Sequence, residues 1–419
     1  MSESLEVWLD CDLCPMQRLG TLAHDRGQVR FHYGKTWLTK QDIAFAIDPQ
    51  LTLDAGPFFP KPDTGNFGVF LDSSPDRWGQ MLMRRREALQ AKDEKRTART
   101  LYSWDFLLGV QDITRQGALR FRFPDSETFL ANESLSAPPV TSLAELAAIA
   151  KELTRKNIDN LDQLRRWLAV LVAPGASLGG ARPKASFCDK TGALWIAKFP
   201  SCDDDRDMGA WEGVAWWLAR QAGIDMPVAK VERLGQGGHH TFCVQRFDRT
   251  RGTEGKSDQR RFYASAMTLL GKDVSEGTSY LELAEFLSRR GDPDRIQADL
   301  EQLFRRVVFN IVVGNRDDHL RNHGFILAKR GWRLAPAFDV NPSIDKVGHV
   351  LNIDDVDNRP SLETVSATAA FYRLAPKRAK ELIDEVVNVV VAWKAVARRA
   401  KIASADIELS ASAFAALER

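Results

Sequence analysis

Gly314-Asn315-Arg316-Asp317-Asp318-His319-Leu320-Arg321-Asn322, followed at a distance by Pro336-Ala337-Phe338-Asp339, is the stretch that decides how this chain is read. Ahead of it, Leu300, Leu303, Phe304, Val307, Val308 and Ile311 recur at i, i+3, i+4 and i+7, the stripe of a buried helix that stops at Gly314. Behind it, Phe325 to Leu327 and Trp332 to Leu334 flank the turn Lys329-Arg330-Gly331 and predict a hairpin. The layout is an Asp, an Asn five positions later, a hairpin, and then a second Asp. Phosphoryl transfer needs those residue types. One carboxylate orients the attacking hydroxyl and takes its proton, while an amide oxygen and another carboxylate ligate a hard cation such as Mg²⁺. A solvated polar turn is the plain alternative for the loop alone, and the second Asp straight after the hairpin weighs against it.

Working outward, Ser177-Leu178-Gly179-Gly180-Ala181-Arg182-Pro183-Lys184 lies between a helix and a strand. Adjacent glycines let backbone N–H groups approach phosphate oxygens. The loop lacks the Gly-Lys-Ser/Thr of a P-loop and the glycine spacing of a dinucleotide fold, so taken alone it reads first as a plain turn. Lys198 lies in Leu194-Trp195-Ile196-Ala197-Lys198-Phe199, where alternation sets it with Leu194 and Ile196 and opposite Trp195, Ala197 and Phe199. A lysine on a mostly apolar strand needs an anionic partner or an escape to water, and nucleotide phosphates would supply the former. Glu212, on the next helix, could pair with it or face solvent. Gln245-Arg246-Phe247 closes the strand-rich region, where a strand end can offer backbone groups to an adenine ring and Phe247 can lie against it.

The order of elements sets the expected fold. Residues 1–123 read as a small mixed unit: strands at Glu6 to Leu9, Val29 to Tyr33 and Ala118 to Phe123, a helix N-capped by Ser74 with Pro75 in its first position, and a short helix from Trp104 to Leu108. Residues 124–142, with Pro138-Pro139 and several serines, read as a linker. Residues 143–255 carry helices from Leu143 to Leu153 and Leu161 to Val172. Strands follow at Ala185 to Cys188 and Leu194 to Phe199, then a helix from Gly209 to Gln221 and strands at Val228 to Leu234 and Thr241 to Phe247. Residues 256–419 are mainly helical, and the last long helix places Leu382, Val386, Val389, Trp393 and Val396 on one face. The expectation is an α+β, two-lobed, protein-kinase-like fold with a strand-rich N-lobe and a helical C-lobe, preceded by the mixed subdomain.

Composition narrows the class. Hydrophobic residues make up 44% and charged ones 27%, an ordinary globular balance. A net charge of +2 means that nucleic-acid contact would have to come from a local patch, such as Arg84 to Arg86 or Lys95 to Arg99. No apolar run reaches the ~18 residues of a membrane span, and the acidic N-terminus is unlike a signal peptide, so a cytoplasmic location is expected. Five cysteines, an odd number, argue against a disulfide framework, and Cys11 and Cys14 form a lone pair read as ordinary thiols.

Together these motifs resemble the HipA family of toxin kinases. The match rests on Ser177, Gly180 and Lys184 of the loop, Lys198 in Ile-Ala-Lys-Phe-Pro, Gln-Arg-Phe-Asp-Arg from Gln245, and Asp-x-His-x-x-Asn from Asp317. It extends to the Phe-Asp at Asp339, to Phe70-Leu71-Asp72-Ser73-Ser74-Pro75-Asp76-Arg77-Trp78-Gly79, and to Asp105-Phe106-Leu107-Leu108-Gly109. The resemblance implies a serine/threonine kinase using ATP and Mg²⁺. In it Asp317 would be the base, preferred over Asp318 because it keeps the spacing to Asn322, and Asn322 and Asp339 would hold the metal. Lys198 would contact phosphates, Gly179, Gly180, Ala181, Arg182, Pro183 and Lys184 would cover them, Gln245, Arg246 and Phe247 would meet adenine, and His319 would sit beside the nucleotide. Ser177 would be an autophosphorylation site. The implied partners are a helix-turn-helix antitoxin (HipB-like) contacting residues 1–123, operator DNA reached mainly through that antitoxin, and a protein substrate such as an aminoacyl-tRNA synthetase. A co-repressor without catalysis and a small-molecule kinase are the competing readings.

Overall fold

The computed structural model describes residues 3–40, 43–131, 142–154, 161–175, 182–234, 238–250 and 258–418. The chain divides into two compact units. The first takes in 1–203, 234–236 and 243–264, and the second 204–233, 237–242 and 265–419.

The first unit opens with strands β1 (Glu3–Cys11), β2 (Cys14–Asp25) and β3 (Gln28–Tyr33), joined by β4 (Leu119–Arg122) in the antiparallel order β3-β2-β1-β4. Alternation drives it: Leu5, Val7, Leu9 and Cys11 of β1, and Val29, Phe31 and Tyr33 of β3, are buried. The β2 strand was not expected, because bulges in its pairing with β1 break its own period of two. Cys11 and Cys14 face each other across the tight β1–β2 connection as free thiols, their sulfurs 3.8 Å apart. Burial, then the neighbouring Cys14, pushes the Cys11 thiol up to about 12, so it is a poor nucleophile.

Helix α1 (Arg77–Asp93) begins later than Ser74 and Pro75 suggested. Its N-cap is Asp76, whose carboxylate accepts from the Arg77 N–H at 2.6 Å. Ser73 and Ser74 instead donate backwards, to the carbonyls of Val69 (3.0 Å) and Phe70 (2.8 Å), closing the short helix Gly68–Asp72. Beyond α2 (Ser103–Leu108) come α3 (Leu143–Leu153), α4 (Leu161–Gly175) and the hairpin β5 (Lys184–Cys188) and β6 (Leu194–Lys198). Trp78 and Leu82 of α1, Leu146 of α3, Leu168 of α4, Phe187 of β5 and Trp195 of β6 share one core. The Trp78 indole donates to the Lys184 carbonyl at 2.9 Å. The end of strand β7 (Thr241–Gln245) runs into a buried charge knot. Arg246 grips Asp248 with two bonds (2.7 and 2.5 Å) and donates to Thr114 O (2.9 Å), while Asp248 also accepts from Arg249 (2.6 Å) and the Gly117 N–H (2.8 Å). Burial alone would raise the Asp248 carboxyl; the two guanidiniums outweigh it and hold it far below the usual carboxylate range.

The second unit is built on α5 (Met208–Gln221), α6 (Tyr280–Arg290), α7 (Ile296–Val313), the hairpin β8 (Gly324–Ala328) and β9 (Gly331–Leu334), α8 (Pro376–Val390) and α9 (Trp393–Arg399). From Leu303 to Val313, α7 is buried on every side, Arg305, Arg306 and Asn310 included, which makes it the axis of the unit. One final helix was expected to run past Val396, but the chain turns at Val391-Ala392 instead. The turn lets Trp393 stack on Phe414 with ring centroids 4.0 Å apart, an aromatic contact that a straight helix would forgo.

Replacing Asp248 by Asn leaves Arg246 and Arg249 buried without a counter-charge. Urea unfolding of the D248N protein is expected to show a loss of ~3–5 kcal/mol relative to the wild type.

Candidate active site

Helix α7 aims the loop from Gly314 to Asn322. It ends at Gly314 in the left-handed conformation (φ +66°), where a Cβ would lie 2.2 Å from the Ala413 carbonyl, so glycine alone fits. Asn315 then bonds back to Asn310 twice, N–H to carbonyl at 2.9 Å and amide to amide at 3.1 Å. The adjacent aspartates take opposite environments. Asp318 is 3% exposed and its Oδ2 is met by the Tyr280 hydroxyl (2.6 Å), the Asn310 amide (2.6 Å) and His323 Nε2 (2.8 Å). Burial pushes its carboxyl up, but the charge and hydrogen bond of His323 with the Tyr280 hydroxyl outweigh that and keep it below the usual range. Asp317 has a side chain 64% exposed and pairs with the Lys346 ammonium. Asp318 is therefore spent on holding the loop, and Asp317 is the carboxylate presented outward.

The short turn Leu320–Asn322 follows, with the Leu320 N–H on Ser275 Oγ at 3.0 Å. Asn322 donates its amide to the Asp317 carbonyl at 3.2 Å, which leaves its amide oxygen as the outward acceptor. His319 precedes the turn, and its Nδ1 is buried without a hydrogen-bond partner. Arg306 of α7 donates to Ala335 O (2.8 Å) and the Ala337 N–H to Asp225 O (2.8 Å), fastening the segment that ends at Asp339. Asp339 is held at φ +57°, a conformation a non-glycine residue adopts at a cost of about 1–3 kcal/mol. Its neighbours Phe338 and Val340 line one cleft with Asn322, Asp318, His323 and Arg306. An amide oxygen and a carboxylate fit Mg²⁺, which commonly takes one or two protein oxygens and completes its shell with phosphates and water.

In the first unit, Lys184 of β5 and Lys198 of β6 are directly opposite each other. They share the sheet face of Ser186 and Ile196, while Ala185, Phe187, Trp195 and Ala197 point into the core, so the alternation expected of β6 is correct. Two lysines thus share one face of the hairpin. Arg182 reaches Phe199 O at 3.5 Å and Pro183 is buried. Ser177, Gly179, Gly180 and Ala181 lie outside the described residues. Gln245 and Phe247 are half-buried, the Phe247 ring 5.9 Å from that of Tyr263; the Arg246 guanidinium is wholly engaged with Asp248 and Thr114 and its N–H with Leu194 O, so its carbonyl is what it can offer a ligand. Glu212 is buried in α5. The basic residues weighed for DNA are in part internally engaged: Arg85 bonds to Leu153 O (2.5 Å), and Arg96 and the Arg99 N–H bond to Glu87. Sequence reasoning missed Tyr280, Asn310, His323 and Lys346. A polar Asn310 inside an apolar stripe was the one available signal.

Two domains of known type account for this arrangement. A model of the HipA-like C-terminal domain matches residues 176–394 and one of the HipA N-terminal domain matches residues 5–103, so the chain belongs to the HipA family. Its relatives include the "Serine/threonine-protein kinase toxin HipA" of Shewanella oneidensis, 25% identical over 191 residues, 40% of this chain and 43% of that protein. The protein "Putative kinase Y4mE" of Sinorhizobium fredii is 31% identical over 150 residues, 35% of this chain and 33% of its own length. These alignments span less than half of either relative. The solved complex of Shewanella oneidensis MR-1 HipA, HipB and operator DNA superposes with a TM-score of 0.67 at 17% identity, covering 99% of this chain and 95% of that one. That likeness establishes the fold, the α+β, kinase-like architecture expected from the sequence. Among the described residues no helix is long and apolar enough to cross a membrane.

Two stability outcomes follow from this geometry. Asp318→Ala is expected to cost ~3 kcal/mol or more of unfolding free energy, since it strands buried polar partners, whereas Asp317→Ala changes it by less than ~1 kcal/mol, as suits an exposed pair, both read from urea unfolding. His349 is 2% exposed, and burial, with Arg316 adding to it and Asp318 opposing, lowers its pKa from 6.5 to about 4. The fold thus keeps His349 neutral while the unfolded chain takes up a proton. Stability from this group is full above pH 6.5 and drains away as pH falls toward 4, by up to ~3 kcal/mol. Unfolding midpoints measured across that window should flatten in His349→Asn.

Proposed function

We propose that this chain is an ATP- and Mg²⁺-dependent serine/threonine protein kinase and the toxin of a toxin–antitoxin pair. The observation that carries the reading is the split between adjacent aspartates: Asp318 is locked away while Asp317 faces outward, five residues from Asn322. Asp317 accepts the proton of the attacking Ser or Thr hydroxyl. Asn322 and Asp339 hold the metal, which when bound neutralises phosphate charge. Lys198 and Lys184 take phosphate oxygens, with the loop from Gly179 over them. Gln245 to Phe247 meet adenine, and His319, with its unpartnered buried Nδ1, borders the nucleotide.

Ser177 is the self-modification site in this reading. A phosphoserine there carries about −1.5 to −2 charges and repels the nucleotide phosphates that the same loop should cover. Autophosphorylation is then a brake. The Shewanella relative, whose structure was solved with HipB and operator DNA, supports a HipB-like helix-turn-helix antitoxin as partner, with DNA reached mainly through it. The substrate class is a translation component such as an aminoacyl-tRNA synthetase, in the cytoplasm. A co-repressor without catalysis would have no need of an intact Lys198, Asp317, Asn322 and Asp339.

The test is intact-mass spectrometry of phosphatase-treated protein after incubation with Mg-ATP. One added phosphate is expected on wild type, at Ser177, and none on Asp317→Ala. No gain on wild type, with phosphate found on a metabolite instead, would shift the reading to a small-molecule kinase.

A further inference from the structure

The segment after Asp339 does not leave the catalytic loop; it is laced along it. The Asn341 N–H reaches Asn315 Oδ1 (3.4 Å), and the Ser343 N–H bonds to Gly314 O (2.9 Å). Arg316, 8% exposed and next to Asp317, spends its guanidinium on three carbonyls: Ser343 (3.4 Å), Lys346 (2.5 Å) and, from the C-terminal end, Ser412 (3.3 Å). The lacing ends where the Lys346 ammonium meets the Asp317 carboxylate. An exposed Lys–Asp pair by itself is worth little. Here, however, the lysine backbone is clamped by a buried arginine of the same loop as its partner, which anchors the stem within reach of Asp317.

We propose that Lys346 is a catalytic cation: with nucleotide bound, its ammonium bridges Asp317 and the phosphoryl group in transfer. This rests on the phosphotransfer reading above and deepens it. The substrate hydroxyl oxygen forms a bond to the γ-phosphorus as the bond from that phosphorus to the bridging oxygen breaks. ADP leaves with the electron pair, and the hydroxyl proton passes to Asp317. Lys346 keeps its proton throughout, steadies the carboxylate against the acceptor hydroxyl, and balances charge on the equatorial phosphoryl oxygens. A point charge on a long stem suits that double contact. Phosphoryl transfer is carried mainly by such positioning and charge stabilisation.

The experiment compares full-length wild type, Lys346→Met, Lys346→Arg and Asp317→Ala. Single-turnover phosphate transfer from Mg-ATP, ADP affinity and thermal midpoint are measured on each. Lys346→Met should lower the transfer rate roughly 10²-fold, as when one donor aimed at developing charge is lost. ADP affinity and the thermal midpoint should not change, because neither needs the γ-phosphoryl contact, and Lys346→Arg should recover much of the rate. Wild-type speed in Lys346→Met overturns the proposal while leaving the kinase reading intact. A faster Lys346→Met also overturns it, by making the lysine a restraint on the base. Rate, ADP affinity and thermal midpoint falling together would assign Lys346 a structural role and likewise overturn it. Absence of transfer in the wild type removes the kinase reading and this inference with it.

Discussion

A single buried carboxylate organises the second unit. Asp318 can sit in the interior only because a phenol, an amide and an imidazole converge on one of its oxygens. Each partner comes from a different place: Tyr280 from α6, Asn310 from α7, and His323 from the start of the hairpin. The knot therefore fixes the angle at which the loop leaves α7. Once Asp318 is committed inward, the peptide geometry turns its neighbour Asp317 outward, and Asn322 completes the loop by bonding to the Asp317 carbonyl. Buried polar networks of this kind specify one arrangement because every alternative strands a polar group.

The same economy recurs on the second half of the site. Asp339 sits in the left-handed backbone region, which Asp tolerates better than most non-glycine residues, and the segment is held by contacts two to four residues before it. A helix arginine, Arg306, and the Asp225 carbonyl brace the segment that leads to it. In the first unit, Asp248 plays the organising part between Arg246, Arg249 and Gly117. The Gln-Arg-Phe-Asp-Arg run is thus two things at once: a strand end, and the clasp that fixes that end to residues 114–117.

Much of this was legible in the chain because short-range patterns carry it. The stripe from Leu300 to Ile311 predicted α7, and the alternation of Leu194 to Phe199 separated Lys198 from the core residues beside it. Other features were illegible for physical reasons. Ser74 has the chemistry of an N-cap, but its hydroxyl is claimed by the preceding turn, and Asp76 caps the helix instead. The β2 strand hid because bulges erase its period. The final helix looked continuous because its apolar face is continuous, yet the chain turns at Val391-Ala392 and Trp393 stacks on Phe414.

The amino-acid sequence alone determined most of the helices and strands around the site, the family, and the set of residue types available for phosphoryl chemistry, since periodicity and spacing are properties of neighbours along the chain. It could not rank Asp317 and Asp318 beyond a spacing argument, nor reveal that Lys346, 29 residues from Asp317, belongs to the same loop cluster. Those were decided by tertiary structure. Which carboxylate is buried depends on which donors the fold brings to it, and Tyr280 and Asn310 come from residues 38 and 8 positions away from Asp318. Long-range desolvation and hydrogen bonding, not local pattern, make one aspartate a buried strut and leave the other exposed.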